Sequence, residues 1–231
     1  MTGKKLTANT LKLTAIAAMV ADHVAVGFLP VYSLWYIILR TVGKITMPVM
    51  SYFIAEGYFH THDLKKYMMR LLTFAALSHF PYVMFFSEEL HSPVTTSIML
   101  PLLLGLCALW LYDKKPLGKW RSYALILVCF LLSAPCDWSC MPVFFVLLFG
   151  MYRDTPKMLF MRYSIVCAVF GIFSVIQDIT NVYMGGLFLA IPLLAMYSGE
   201  KGRGGKILKW GFYLFYPMHL IILYIIKLML L

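Results

Sequence analysis

Charge is scarce in this chain. Of its 231 residues only 13% are Asp, Glu, Lys or Arg, while 61% are hydrophobic. Soluble globular domains carry roughly 25% charged residues. A water-facing globule is therefore excluded, and apolar surface must face lipid. Familiar chemical signatures are missing too: there is no serine nucleophile elbow, HExxH, P-loop or GxGxxG. Cysteine is limited to Cys107, Cys129, Cys136, Cys140 and Cys167, with no CxxC pair or metal-ligand spacing, so no metal is implied. Only Cys136 and Cys140 fall where an outer-surface disulfide could form, and their four-residue separation is equally ordinary helical spacing. Low-complexity tracts, interdomain linkers and internal repeats are lacking as well, which leaves 1–231 as a single domain. The one flexible stretch is the glycine-rich, charged segment Ser198–Gly205.

What is present comes in long apolar blocks, near 11–30, 33–57, 67–86, 97–112, 119–135, 140–151, 159–177, 182–197 and 207–230. A spanning helix needs about 20 mostly apolar residues, and only helices or closed barrels satisfy their backbone in lipid. These blocks are too long for barrel strands. The fold class expected is an all-α, polytopic membrane bundle of about nine transmembrane helices, with no room for a soluble domain. The first block contains Asp22 and His23 and is not followed by a small-residue cleavage site. It is read as a permanent helix rather than a signal peptide.

Net charge is +10, but its placement argues against nucleic acid as a partner. Every Lys and Arg except Arg40, Lys44 and Lys227 falls in alternate loops: Lys4, Lys5 and Lys12; Lys65, Lys66 and Arg70; Lys114, Lys115, Lys119 and Arg121; Arg153, Lys157 and Arg162; Lys201, Arg203, Lys206 and Lys209. The intervening loops carry Glu88, Glu89 and His91, then Asp137, then Asp178. This positive-inside pattern places the N-terminus inside and the C-terminus outside. Contact with anionic headgroups is the other use of such charge.

Two spans are irregular. The second carries Pro48 in mid-segment, where a kink is expected. The sixth is too short to cross at 1.5 Å per residue, so the preceding turn, Ala134–Trp138, is expected to dip into the membrane and carry Asp137 inward.

Ionisable groups at membrane depth are costly and usually functional. Asp22, His23, Arg40, Lys44, His79, Asp137 and His219 are such groups, and all but His219 fall at one outer-leaflet level. Arg40 and Lys44 are i and i+4, so they share a face, repel, and need Asp22 or Asp137 as counter-ions. Asp22 and His23 point about 100° apart, so a partner for His23 should come from another helix. The competing structural readings are that Lys44 snorkels, that His79 satisfies a backbone carbonyl, that His219 caps a carbonyl freed by Pro217, and that Asp22–Arg40 is a structural ion pair. Glu56 either pairs with Lys65 or Lys66 or takes part in function, and His60 and His62 are read as solvated. A buried histidine beside cations outlines an acyl-transfer site. The same residues would serve as a proton relay in a transporter.

The motifs lean towards the first reading. Leu11-Lys12-Leu13 through Met19 to Asp22-His23; Arg40-Thr-Val-Gly43-Lys44 with Pro48, Glu56-Gly57, Tyr67 and Arg70-Leu71; Ser78-His79-Phe80-Pro81; and Tyr213-Leu-Phe-Tyr216-Pro217-Met-His219-Leu220 stand in that order. In these motifs the chain resembles the TraX family, membrane proteins named for the conjugative pilin acetylase. Lys44 stands where that pattern has arginine, and Trp138 follows Asp137 where a Tyr-Gly pair is expected. The resemblance implies an acetyltransferase of the bacterial cytoplasmic membrane that uses acetyl-CoA. It also implies Asp22, His23, Arg40 and His219 as catalytic residues, with Lys44, Glu56, His79, Asp137 and Tyr216 around them. Lys65, Lys66, Arg70, Arg203, Lys206 and Lys209 are candidates for holding the donor's phosphates, and the acceptor is expected from the membrane or outer face.

Overall fold

The structure is a computed structural model that describes residues 5–86 and 95–230, save the side chains of Lys206, Ile207 and Lys209. Lys4, Glu88, Glu89 and His91, and the Lys206 and Lys209 side chains proposed for phosphate binding, lie outside the described residues. The described chain is all-α. Its helices are α1 (Ala8–Phe28), α2 (Leu34–Gly43), α3 (Thr46–His60), α4 (Leu64–Phe85), α5 (Met99–Lys114), α6 (Lys119–Ser133), α7 (Met141–Met151), α8 (Pro156–Gln177), a 3₁₀ stretch Ile179–Leu189, α9 (Ala190–Ala195) and α10 (Lys206–Leu230). Among the described residues the only β pairing is an isolated parallel bridge between Leu6 and Tyr197.

Starts are set by side-chain caps. Thr7, Ser33 and Asp63 each accept from a backbone amide three residues on, at Thr10, Tyr36 and Lys66, which satisfies one of the donors orphaned at a helix N-terminus. Carbonyls of the 198–205 loop do the same for α1: Glu200 and Lys201 accept from the amides of Ala8 and Asn9. The Asn9 side chain returns bonds to the Gly202 and Arg203 carbonyls. The stretch read as flexible is thus tied along its length to the start of α1.

Among the described residues four helical stretches are long and apolar enough to cross a membrane: Ala8–Phe28, Leu34–His60, Pro156–Gln177 and Trp210–Leu230. On α8, Ile165, Val169, Ile172 and Ile176 recur at spacings of four, three and four and are all exposed, Ile176 by 76%. A continuous apolar stripe of this kind is a lipid-facing surface. The chain is a membrane protein.

The expected spans are modified in two places. The block 33–57 breaks between α2 and α3 at Lys44–Ile45, one turn before Pro48. Pro48 is the third residue of α3; it has no N–H to offer the Lys44 carbonyl four residues back and its ring crowds that carbonyl, which accounts for the interruption at Lys44–Ile45. The block 182–197 is not one α-helix. Eleven residues wind as a 3₁₀ helix before the six-residue α9, a long run for that conformation.

By chain contacts the fold comprises two compact units. One takes in Met1–Met50, Pro156–Phe212 and Ile225–Leu231; the other takes in Ser51–Thr155 and Tyr213–Tyr224. In the first, α1 packs on α2, and the 3₁₀ stretch packs on α2 and α8. In the second, α5 is central, in contact with α4, α6 and α7. The short α7 buries Val143, Phe145, Val146, Leu147, Leu148 and Phe149. A helix apolar all round is a core element, and at about 17 Å it is shorter than the roughly 30 Å of hydrocarbon that a spanning helix crosses.

Candidate functional site

Asp22 and His23 sit in the last third of α1, and Arg40 in the last turn of α2 with Lys44 as its C-cap. All four belong to the first unit. The Asp22 carboxylate bridges the two cations. Arg40 Nη1 donates to Oδ2 at 2.7 Å, and Lys44 Nζ lies 3.3 Å from Oδ1. The second contact is an ion pair without good hydrogen-bond geometry. Lys44 is 2% exposed, so it does not snorkel to a polar surface. His23 is also buried, one position round the helix and within electrostatic reach of Asp22.

Two glycines make this approach possible. A Cβ on Gly43 would overlap the Asp22 side chain, and one on Gly186 would overlap the Thr41 carbonyl. Any larger residue would push α2 off α1 or the 3₁₀ stretch off α2. That close seating delivers a group the sequence reading missed. The Arg40 guanidinium lies 4.7 Å over the Tyr183 ring and reaches the Tyr183 hydroxyl at 3.5 Å. Lys44 Nζ lies 5.0 Å from the same ring. The Tyr183 hydroxyl donates to Asn181 Oδ1 at 2.6 Å, and Asn181 Nδ2 donates to the Ser174 carbonyl at 3.0 Å. Tyr36, one turn before Arg40, meets Tyr183 edge-on at 6.2 Å between centroids. Aromatic faces stabilise cations most when water is excluded. The cluster therefore holds two cations, one carboxylate and two aromatic faces, a formal excess of one positive charge. A signal was available: Tyr36 is i−4 from Arg40 and so shares its face.

The second unit carries His79, Asp137, Tyr216 and His219. His79 Nδ1 meets the Thr96 hydroxyl at 3.1 Å rather than a backbone carbonyl. The Thr96 carbonyl accepts from the Asp137 amide at 2.9 Å, so one residue ties α4 to the 134–140 turn. In that turn Trp138 and Ser139 have left-handed φ values of 62° and 50°. Cys136 and Cys140, on either side, are free thiols. The Tyr216 hydroxyl is fully buried beside Ser97 and the Ile98 amide, with the Asp137 carboxylate and Tyr82 in electrostatic reach. His219 Nδ1 lies 2.9 Å from the Phe215 carbonyl. Pro217 frees the Tyr213 carbonyl, four residues back, so His219 caps a different carbonyl from the one expected. The contact fixes Nδ1 as the protonated nitrogen of the neutral ring and leaves Nε2 as its acceptor.

Glu56, also in this unit, does not pair with Lys65 or Lys66. Arg153 Nε donates to Glu56 Oε1 at 3.0 Å, and His60 Nδ1 stands 3.7 Å from Oε2. Lys66 is taken by Asp63 at 3.0 Å. His60 is exposed as expected, though it touches Glu56. Tyr58 donates to Asp113 at 2.6 Å. Of the phosphate-binding candidates, Lys65, Lys66 and Arg203 are exposed, whereas Arg70 is partly buried.

A family described as TraX protein matches residues 7–227 of the chain. A curated relative, "Probable fimbrial assembly protein FimC, serogroup H1" of Dichelobacter nodosus, is 31% identical, with 92% of each chain covered. No solved structure matches.

Proposed function

From the premise that the chain belongs to the TraX family, we propose that it is a membrane acyltransferase that moves an acetyl group from acetyl-CoA to an amine or hydroxyl. The observation that carries this reading is the Asp22–Arg40–Lys44 cluster with His23 beside it. The name of the relative, a probable fimbrial assembly protein, favours a fimbrial subunit as acceptor.

The chemistry follows from the residues. In a low-dielectric site a fixed excess of positive charge favours a state in which negative charge develops. Attack of the acceptor nitrogen or oxygen on a thioester carbonyl develops that charge on the carbonyl oxygen. Arg40 and Lys44 would stabilise it. His23 would take the proton from the attacking atom and return it to the departing thiolate as the carbon–sulfur bond breaks, so acyl group, proton and electron pair are all accounted for. Asp22 holds both cations in place, and Tyr183 limits their motion. His219, whose tautomer is set by the Phe215 carbonyl, is the rival base.

Radiolabelled acetyl-CoA supplied to membranes bearing the chain and a fimbrial-subunit peptide tests this. Label should enter the peptide with the wild type and not with His23→Ala or Arg40→Ala. Full transfer by both variants, with both correctly folded, would overturn the assignment of this site.

A further inference from the structure

Arg70 is a partly buried cation of the second unit that has no carboxylate in contact among the described residues, Asp63 reaching it only at longer range. It sits six residues into α4, about 9 Å from the helix start at 1.5 Å per residue. Among the described residues no Asp or Glu lies within 4.0 Å of its guanidinium: Glu56 is held by Arg153 and His60, Asp63 by Lys66, and Asp113 by Lys114. Its Nε is buried and makes no hydrogen bond. Its neighbours are the Tyr67 ring and the Tyr213 hydroxyl. The guanidinium lies 5.6 Å from the Tyr67 ring and within hydrogen-bonding reach of the Tyr213 hydroxyl. Phe74 stacks on Tyr213 at 5.0 Å and holds that ring, while the Tyr67 side chain lies against Gly57 of α3.

A partly desolvated guanidinium with an unbonded donor is complete only with an anion against it. Its planar fork suits two oxygens on one centre, and neighbouring hydroxyls can donate to a third. We propose that Arg70, with Tyr67 and Tyr213, forms a subsite for one phosphate ester group at the charged end of α4. The exposed Lys65 and Lys66 raise the local concentration of anions but do not fix their position, because such charges are solvated and screened. The same chemistry is offered by a CoA phosphate and by a phospholipid headgroup. Only the choice of CoA as occupant rests on the acetyltransferase reading.

The test uses the full chain in nanodiscs, wild type beside Arg70→Gln, Arg70→Lys, Tyr213→Phe and the pair Lys65→Gln/Lys66→Gln. Labelled CoA is measured by equilibrium dialysis, and thermal stability is compared in phosphatidylcholine discs with and without phosphatidic acid. CoA affinity should fall about 10- to 100-fold in Arg70→Gln, less in Arg70→Lys, and no more than about threefold in the lysine pair. If the wild type binds no CoA but phosphatidic acid stabilises it in an Arg70-dependent way, the phosphate subsite stands with a lipid occupant, and the acetyl-CoA reading fails. If neither CoA binding nor lipid stabilisation depends on Arg70, the proposal is overturned. Should Arg70→Gln not fold, Arg70→Lys decides: it keeps the charge, loses the fork, and must still weaken binding.

Discussion

Replacing Asp22 by asparagine removes the one anion from a buried group of three charges while nearly preserving its volume. At an effective permittivity of about 20, unit charges about 3 Å apart attract by roughly 5 kcal/mol, and two cations about 6 Å apart repel by roughly 3 kcal/mol. Asp22 makes two such attractions, at 2.7 and 3.3 Å. Much of that gain is already offset by desolvation of all three groups, whose side chains are only 16%, 3% and 13% exposed for Arg40, Lys44 and Asp22. The variant loses the attractions and keeps both the desolvation and the repulsion. Breaking a buried pair in this way costs about 3–5 kcal/mol. The assay is unfolding by SDS titration, followed by the fluorescence of the five tryptophans. Asp22→Asn should lose about 3–5 kcal/mol, and Asp22→Asn/Lys44→Met should recover about 1–3 kcal/mol, because one uncompensated cation has gone. A single variant within about 1 kcal/mol of wild type, or a double variant no better than the single, would refute the bridging role assigned to this carboxylate.

Gly43→Ala places a methyl group on the Asp22 side chain; a loss of about 1–3 kcal/mol in the same titration is expected, with the Arg40–Asp22 contact lengthened. Tyr183→Phe keeps the ring under Arg40 and Lys44 but removes the hydroxyl between Arg40 and Asn181, so it should cost about 1 kcal/mol, and Tyr183→Leu should cost more because the cation–π contacts go as well. The Lys66 amide and ammonium hold the Asp63 carboxylate below its usual range. A folded-state pKa below the unfolded value of about 3.9 means that this N-cap stabilises fully at neutral pH and progressively less as pH falls below about 4. Stability of Asp63→Ala against pH should therefore lack that part of the acid limb.

Fold class and the membrane were legible because both rest on composition and on the length of apolar blocks, which no tertiary contact can reverse. The Asp22–Arg40 pair was legible for a related reason: opposite charges at one depth in lipid have few alternatives to each other. Lys44 was left between snorkelling and a carboxylate partner, and its burial against Asp22 decides for the second. The interruption one turn before Pro48 was legible, because a proline costs the hydrogen bond to the carbonyl four residues back whatever the tertiary packing. Tyr183 was missed because nothing in the sequence sets it apart from the many other aromatics; only the seating of the 3₁₀ stretch on α2 brings its ring under Arg40. Glu56 had two readings, of which the pairing with Lys65 or Lys66 rested on sequence proximity and does not hold. Its partner Arg153 is 97 residues away, and only the packing of the second unit brings them together.

Whether the three charges serve the fold or the chemistry can be decided by deleting all of them. An ion pair inside a protein seldom exceeds the stabilisation that apolar residues of similar size would give, since its attraction is spent against its own desolvation. For Asp22, Arg40 and Lys44 the balance is worse, because the excess cation adds repulsion without a matching partner in the triad. Asp22→Leu/Arg40→Met/Lys44→Met leaves no charge behind, so it should unfold at the same SDS fraction as wild type or higher, even though Asp22→Asn alone is damaging. The same triple variant should transfer no acetyl label. Stability retained with activity lost identifies a cluster kept for its chemistry. If the triple variant is less stable than Asp22→Asn, the charges are structural, and the acyl-transfer site has to be sought around His219 and Tyr216 instead.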